Sequence, residues 1–172
     1  FVNQSETVNQ VAGLEFDGAL GDRWHSRLSV GRSWDDNESF RDGQSRSVFD
    51  SRRDTLTWQN DLDLGARGTL VLGLDWLQDR VASSTRYTED SRWNRALFAQ
   101  YGSALGGHEW SLSARLDDNQ QFGSNATGSL AWGHALGNGV RAYASVGTAF
   151  KAPSFNDLYF PGFSNPRLDP ER

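Results

Sequence analysis

The sequence predicts an all-β fold, an antiparallel up-and-down meander of about eight long strands. Three observations point there: apolar residues recur with a period of two, the runs are long, and the connections alternate between short and long. The period is plainest where Leu70, Leu72, Leu74 and Trp76 alternate with Val71, Gly73 and Asp75. Trp110, Leu112, Ala114 and Leu116 alternate likewise with Ser111, Ser113 and Arg115, and Val140, Ala142, Ala144, Val146, Thr148 and Phe150 with Arg141, Tyr143, Ser145, Gly147, Ala149 and Lys151. A helix scatters such sets round its circumference, whereas a strand collects each set on one face.

In chain order the strands are expected at 5–20, 24–35, 53–64, 69–81, 93–104, 109–117, 125–136 and 140–150, each roughly 9–16 residues long. Strands of soluble domains are usually about 5–6 residues long, and a tilted strand crossing a bilayer needs about 9–11. Length therefore favours the wall of a membrane barrel over a soluble sandwich. Short turns are expected at 21–23, 65–68, 106–108 and 137–139, each with glycine to supply a positive φ. Long polar loops are expected between them, at 36–52, 82–92, 118–124 and 151–164. Short turns at one end and long loops at the other are the asymmetry of an outer-membrane barrel, with periplasmic turns and extracellular loops.

The tryptophans follow the same scheme. Trp24, Trp110 and Trp132 fall near the short turns, Trp34, Trp76 and Trp93 near the long loops, and Trp58 lies centrally. Indoles favour the two water–lipid boundaries, although strands are also rich in aromatics for other reasons. The alternate face is polar, with His25, Arg27 and Ser29, then Thr57, Gln59, Asp61 and Asp63, then Arg115 and Asp117. It fits a wet or plugged lumen or the solvent side of a small sheet, and strand length favours the lumen.

Composition excludes several classes of function. The chain of 172 residues has no cysteine, hence no disulfide, thiolate nucleophile or Cys-ligated metal. Its net charge of −5 is spread along the chain, without the basic block that nucleic acid requires. No run approaches the roughly 18 apolar residues of a membrane helix, which says nothing against a barrel. The chain begins at Phe1, has no methionine and ends in a polar Pro-containing stretch, and is expected to be an excised segment of a longer protein.

No enzyme site is expected. His25, His108 and His134 sit on separate hairpins without ligand spacing. Ser26 follows His25, but neighbours on a strand face opposite ways and form no nucleophile–base pair. The pairs Asp35-Asp36 and Asp117-Asp118 offer oxygen ligands for Ca2+. They lie at strand–loop junctions, where solvated carboxylates are common, so no metal site is assigned. Asn125-Ala126-Thr127 matches an N-glycosylation pattern that is idle in a bacterial barrel.

Two stretches carry a resemblance. The first runs from Tyr143 through Gly147, Phe150, Lys151, Ala152 and Pro153 to Leu158-Tyr159, then Asn165-Pro166 and Leu168-Asp169-Pro170-Glu171. It resembles the mid-barrel signature of TonB-dependent receptors, in which a strand ends in an aromatic, a basic residue, Ala and Pro. The Asn-Pro and Leu-x-Pro-Glu elements then open the next strand. The second is Arg115-Leu116-Asp117-Asp118-Asn119-Gln120-Gln121-Phe122-Gly123. Its Asp-Asp-Asn and Gln-Phe-Gly elements most resemble the cobalamin (vitamin B12) transporters. The spacing from 53 to 171 fits that subfamily, while residues 1–52 match in pattern alone.

The resemblance implies that residues 1–172 are a partial receptor barrel, part of a 22-strand transmembrane β-barrel in the outer membrane of a Gram-negative bacterium. It implies an N-terminal plug and a TonB box outside this segment, and partners comprising the bilayer, the plug, the remaining strands and TonB. The implied activity is uptake of a large scarce ligand without chemical conversion, cobalamin first and a siderophore or haem as the alternative. A soluble all-β binding module is the competing class. No calcium ligand is carried over. Ligand contact is expected in loops held by a rigid scaffold, from Phe40, Phe49, Tyr87, Phe155, Tyr159, Phe160 and Phe163. Packing that stabilises the loops is the other reading of those aromatics.

Overall fold

A computed structural model describes residues 2–160 and 162–172. Eight strands form one antiparallel sheet in chain order. They are β1 (Asn3–Gly21), β2 (Trp24–Arg41), β3 (Gln44–Asp63), β4 (Thr69–Ser83), β5 (Ser91–Leu105), β6 (His108–Asn119), β7 (Gly123–Gly137) and β8 (Val140–Gly147), followed by one short helix, α1 (Phe155–Tyr159). The sheet is open, with β1 and β8 at its edges.

Register sorts the residues into two faces. Leu28 and Val30 of β2 stand beside Trp58 and Leu56 of β3, Leu74 and Trp76 of β4, and Leu97 and Arg95 of β5. Leu112 of β6 and Leu130 of β7 continue this apolar face. All seven tryptophans fall on it. Trp24 donates Nε1–H to Asn60 at 2.9 Å, and Trp58 to Ser26 Oγ at 3.0 Å. Among the described residues the buried apolar side chains are Ala96, Phe155 and Leu158 alone, so the sheet encloses no core of its own. Leu97, Leu112, Leu116 and Val146 are instead at least half exposed.

The longest expected loop, 36–52, is not a loop. β2 and β3 continue through it to a two-residue turn, Asp42-Gly43, with φ of 52° and 76°. Both positive φ values match the twist of the flanking strands. The alternation disappears there because both faces of the hairpin become polar, as Asp35, Asp36, Asn37 and Glu38 show. The ladder needs only backbone groups and persists. The expected loop at 118–124 also shrinks, because β6 runs to Asn119 and β7 starts at Gly123. The Asn119 side-chain carbonyl accepts from the backbone N–H of Gln121 and Phe122 at 3.0 and 3.2 Å, which ties the turn down. The 82–92 connection is reduced to the residues between Ser83 and Ser91.

β8 stops at Gly147, short of the expected 150. Beyond it Lys151 and Glu171 form an isolated antiparallel bridge with both backbone bonds at 3.0 Å. That bridge closes the base of the 151–164 connection and its continuation, of which residue 161 lies outside the described residues.

Candidate functional site

The polar face is a lattice of ion pairs. Asp17 of β1 accepts from His25 Nε2 at 2.9 Å and Arg27 Nε at 3.0 Å, both on β2. Arg53 of β3 clasps Asp79 of β4 with Nε at 2.6 Å and Nη2 at 3.1 Å. Arg115 of β6 reaches Asp117 at 3.0 Å and Asp75 of β4 at 2.6 Å, and Thr57 donates to the same Asp75 at 2.9 Å. Asn94 donates to Asp117 at 2.9 Å, and Arg141 pairs with Glu109. Neighbouring strands, and strands one apart in the case of Arg115–Asp75 and Arg141–Glu109, are thus cross-linked on this face by charge-assisted bonds, the stronger class.

The second surface is the loop end. Ser154 caps α1: its Oγ accepts from Asp157 N at 3.2 Å, and the Asp157 carboxylate accepts from Ser154 N at 2.9 Å. This reciprocal pair satisfies two otherwise orphaned donors of a very short helix. The two bonds from Ser154 hold the Asp157 carboxyl below its ordinary value. α1 buries Phe155 and Leu158. Arg92 of β5 donates Nη1–H to Pro153 O at 2.9 Å and fastens the entry to the helix.

Six of the seven expected loop aromatics form a chain of contacts. Tyr87 lies 5.9 Å from Phe49, 5.9 Å from Phe155 and 6.3 Å from Phe160. Phe155 meets Tyr159 at 5.1 Å, and Phe160 meets Phe163 at 6.4 Å. Burial raises the Tyr87 hydroxyl above its ordinary pKa. At Tyr159 burial does the same, helped by the charge of Glu89. Both phenols therefore stay protonated donors at neutral pH. Phe40 stands apart beside the Asp42-Gly43 turn, in register with Ser45, and makes no ring contact among the described residues. Phe163 is 91% exposed and Phe155 only 9%, which separates rings open to solvent from those that hold the loop together.

The motif residues lie at the same end. Asn165 turns the chain: its Oδ1 accepts from Arg167 N at 3.0 Å and its carbonyl from Leu168 N at 3.2 Å, with Pro166 between. Lys151 and Glu171 add a side-chain pair at 3.6 Å to their backbone bridge. Gly147 sits where a Cβ would lie 3.0 Å from Ser129 Cβ, and Gly123 has φ of 66°. Phe122 enters through its backbone alone, its N–H donating to Asn119 Oδ1 at 3.2 Å and its carbonyl accepting from Asn125 Nδ2 at 3.4 Å, and no contact of Phe150 or Pro170 explains its place. Sequence reasoning missed Arg92 and the Ser154–Asp157 cap, and it named Leu158 within the resemblance without foreseeing its burial. Only the cap carried a local signal, a Ser followed three residues later by an acid.

A meander of long strands, with every tryptophan on one face, an ion-paired opposite face and its loops gathered at one end, is the wall of a large β-barrel. The family described as TonB dependent receptor-like, beta-barrel matches residues 2–172, and the chain belongs to that family. A protein of Photobacterium profundum named vitamin B12 transporter BtuB is 36% identical over 155 residues, 90% of this chain and 26% of that protein. Its namesake in Vibrio vulnificus is 33% identical over 99% of this chain and 30% of its own length. The chain thus spans less than a third of these relatives. In fold it superposes on the siderophore receptor PirA of Pseudomonas aeruginosa with a TM-score of 0.82 and 21% identity, covering 91% of this chain and 29% of PirA. The ferric enterobactin receptor PfeA of the same organism gives 0.79 and 20%, covering 90% and 27%.

Proposed function

We propose that the chain is barrel wall from a TonB-dependent active transporter that imports cobalamin across the outer membrane of a Gram-negative bacterium. The observation that carries this reading is the 36% identity over 90% of the chain to a protein named as a vitamin B12 transporter. The geometry supports the class. The apolar face, bearing the tryptophans, meets lipid, and the ion-paired face lines the lumen. The aromatic loop cluster stands at the extracellular mouth, where a ligand too large for ordinary pores is first held. No bond of the ligand is changed. Energy enters through TonB and the plug, which belong to the longer protein.

The test is binding of radiolabelled cyanocobalamin to outer membranes carrying the full-length protein, with a ferric siderophore alongside. Saturable cobalamin binding is expected. Siderophore binding without cobalamin binding retains the transporter class and overturns the ligand, a reading favoured by the fold match to PirA and PfeA. A detergent-free monomer that binds neither returns the chain to the soluble-module class.

A further inference from the structure

The tryptophan face does not stay apolar to its end. Toward the loops three arginines stand on it, Arg32 on β2, Arg52 on β3 and Arg80 on β4. They gather round one carboxylate, Asp54 of β3, which is 9% exposed. Arg32 donates its Nε–H to Asp54 Oδ1, while Arg52 Nε and Arg80 Nη1 lie 3.5 and 4.0 Å from Asp54 Oδ2. Three guanidiniums against one carboxylate leave two positive charges over. Arg52 Nε is buried and makes no hydrogen bond, and Arg80 turns Nη2 to the Gln78 side-chain oxygen at 2.8 Å. A guanidinium has more N–H donors than these bonds use. Elsewhere the balance differs: Arg115 meets two carboxylates, and Arg53 and Arg95 meet one each.

Depth in the sheet decides what can answer the excess. A lipid-facing arginine is costly at the bilayer midplane and tolerated near its boundary. Trp34 shares a rung with Arg52 and Arg80, and Trp93 continues the rung of Arg32, Asp54 and Gln78. The Arg32 guanidinium lies over the Trp34 ring, 5.7 Å from its centroid. Indoles settle at the water–lipid boundary, so the triad stands at headgroup depth on the outside of the barrel. On its midplane side the next rung is apolar, with Val30, Leu56 and Trp76. On its outer side the next rung is acidic, with Asp36 and Asp50 in register. With Asp90 these carboxylates border the loop side of a groove of about 500 Å³, which Trp34, Arg52 and Arg80 border toward the lipid. Arginines at the boundary and carboxylates beyond it match a headgroup whose phosphates meet the arginines and whose divalent counter-ions lie between those phosphates and the carboxylates.

We infer that the Arg32, Arg52 and Arg80 triad is a lateral site for the phosphorylated headgroup of an outer-leaflet lipid, whose acyl chains run down the apolar face past Val30, Leu56 and Trp76. Guanidinium and phosphate pair through parallel charge-assisted bonds. The inference rests on the tryptophan face meeting lipid and not on which ligand the barrel imports.

The experiment uses the purified full-length protein in mild detergent with Mg2+. Equilibrium binding is read by native mass spectrometry for lipid A, a phosphorylated and acylated glucosamine disaccharide, and for the same lipid stripped of its phosphates. The wild type should bind the phosphorylated form at least about tenfold more tightly. Arg52→Gln with Arg80→Gln should reduce that preference to within about threefold, while the Arg32–Asp54 pair still joins β2 to β3. Arg23→Gln with Arg67→Gln removes the same charge at the short-turn end and should keep the wild-type preference. Heat-modifiable migration establishes that each variant is assembled. Millimolar inorganic phosphate should leave the lipid bound; displacement would make this a free-phosphate site and overturns the lipid. A preference unmoved in the Arg52 and Arg80 double variant, or a wild type that binds both lipids alike, overturns the site. Cyanocobalamin binding, measured alongside, should be the same in wild type and variants and reports separately on the transport reading.

Discussion

Arg115 of β6 and Asp75 of β4 meet at 2.6 Å across the strand that separates them. The intervening residue of β5 is Phe98, in register with Gly73 on one side and Arg115 on the other. Its ring lies over Gly73, so close that a Cβ there would stand 2.2 Å from Phe98 Cζ. Sunk into that gap, the ring lets the Arg115 guanidinium pass above it, 5.9 Å from the centroid. Replacing Arg115 with Met strands the carboxylates of Asp75 and Asp117, of which Asp117 is buried. The pair is about a third exposed, so a loss of about 1–2 kcal/mol is expected. Urea midpoints of the refolded full-length barrel measure it. Adding Asp75→Asn should recover part of the loss, and a midpoint unmoved by Arg115→Met removes the cross-strand pair from the account.

The glycine side of this relationship makes a separate prediction. Gly73→Val should push the Phe98 ring off its seat and lower stability, whereas Phe98→Ala in the same chain should relieve the clash. A double-mutant cycle should return a coupling of about 0.5–3 kcal/mol. Strict additivity would mean that the ring does not depend on the gap.

Period two and strand length made the sheet, its meander order and its two faces legible, because burial against one environment imposes alternation directly on residues such as Leu70 to Trp76. The same rule failed at 36–52, where the hairpin is polar on both sides and alternation carries no information. The Asp42-Gly43 pair was the surviving sign of a tight turn. The loop aromatics were legible as a set but not as a cluster. The contact of Tyr87 with Phe155 joins segments far apart in sequence, and no local pattern encodes their meeting.

The assignment of faces has a direct test. Leu72 and Leu112 lie on the apolar face and Asp61 on the polar one. Leu72→Arg or Leu112→Arg places a cation in lipid at a cost of about 2–4 kcal/mol near the bilayer midplane, whereas Asp61→Arg stays in a wet lumen. Assembly into vesicles, read from heat-modifiable migration, should fall for the two leucine variants and hold for Asp61→Arg. Equal losses at all three sites would mean that no lipid face exists.

The cap of α1 makes the loop sensitive to acid. Asp157 has its pKa lowered from 3.8 by its bonds to Ser154, so its stabilising contribution is complete above that value and disappears as pH falls through the lowered one. Cleavage of the 151–164 connection by an acid protease should therefore rise below about pH 3.8 in the wild type. Asp157→Asn should be cleaved faster already at neutral pH, by a neutral protease, and should show a weaker acid dependence. Identical profiles for the two proteins would mean that the cap does not hold the loop.

The loop aromatics divide into two kinds, and one experiment separates them. Phe163 is 91% exposed and Phe160 42%, although the two rings touch and reach Tyr87 through Phe160. Leu158 is 1% exposed and fixes the loop from below. Paired replacement Phe160→Ala with Phe163→Ala removes an open aromatic surface without opening the loop. It should weaken cyanocobalamin binding by roughly five- to thirtyfold, about 1–2 kcal/mol, while protease resistance of the 151–164 connection stays at the wild-type level. Leu158→Ala leaves the exposed rings in the sequence but empties the packing under them. It should increase loop cleavage first and weaken binding as a consequence, with a protected loop returning once ligand is saturating, because binding to the ordered form pulls that equilibrium. If the paired phenylalanine variant loosens the loop as much as Leu158→Ala does, those rings serve packing and not the ligand.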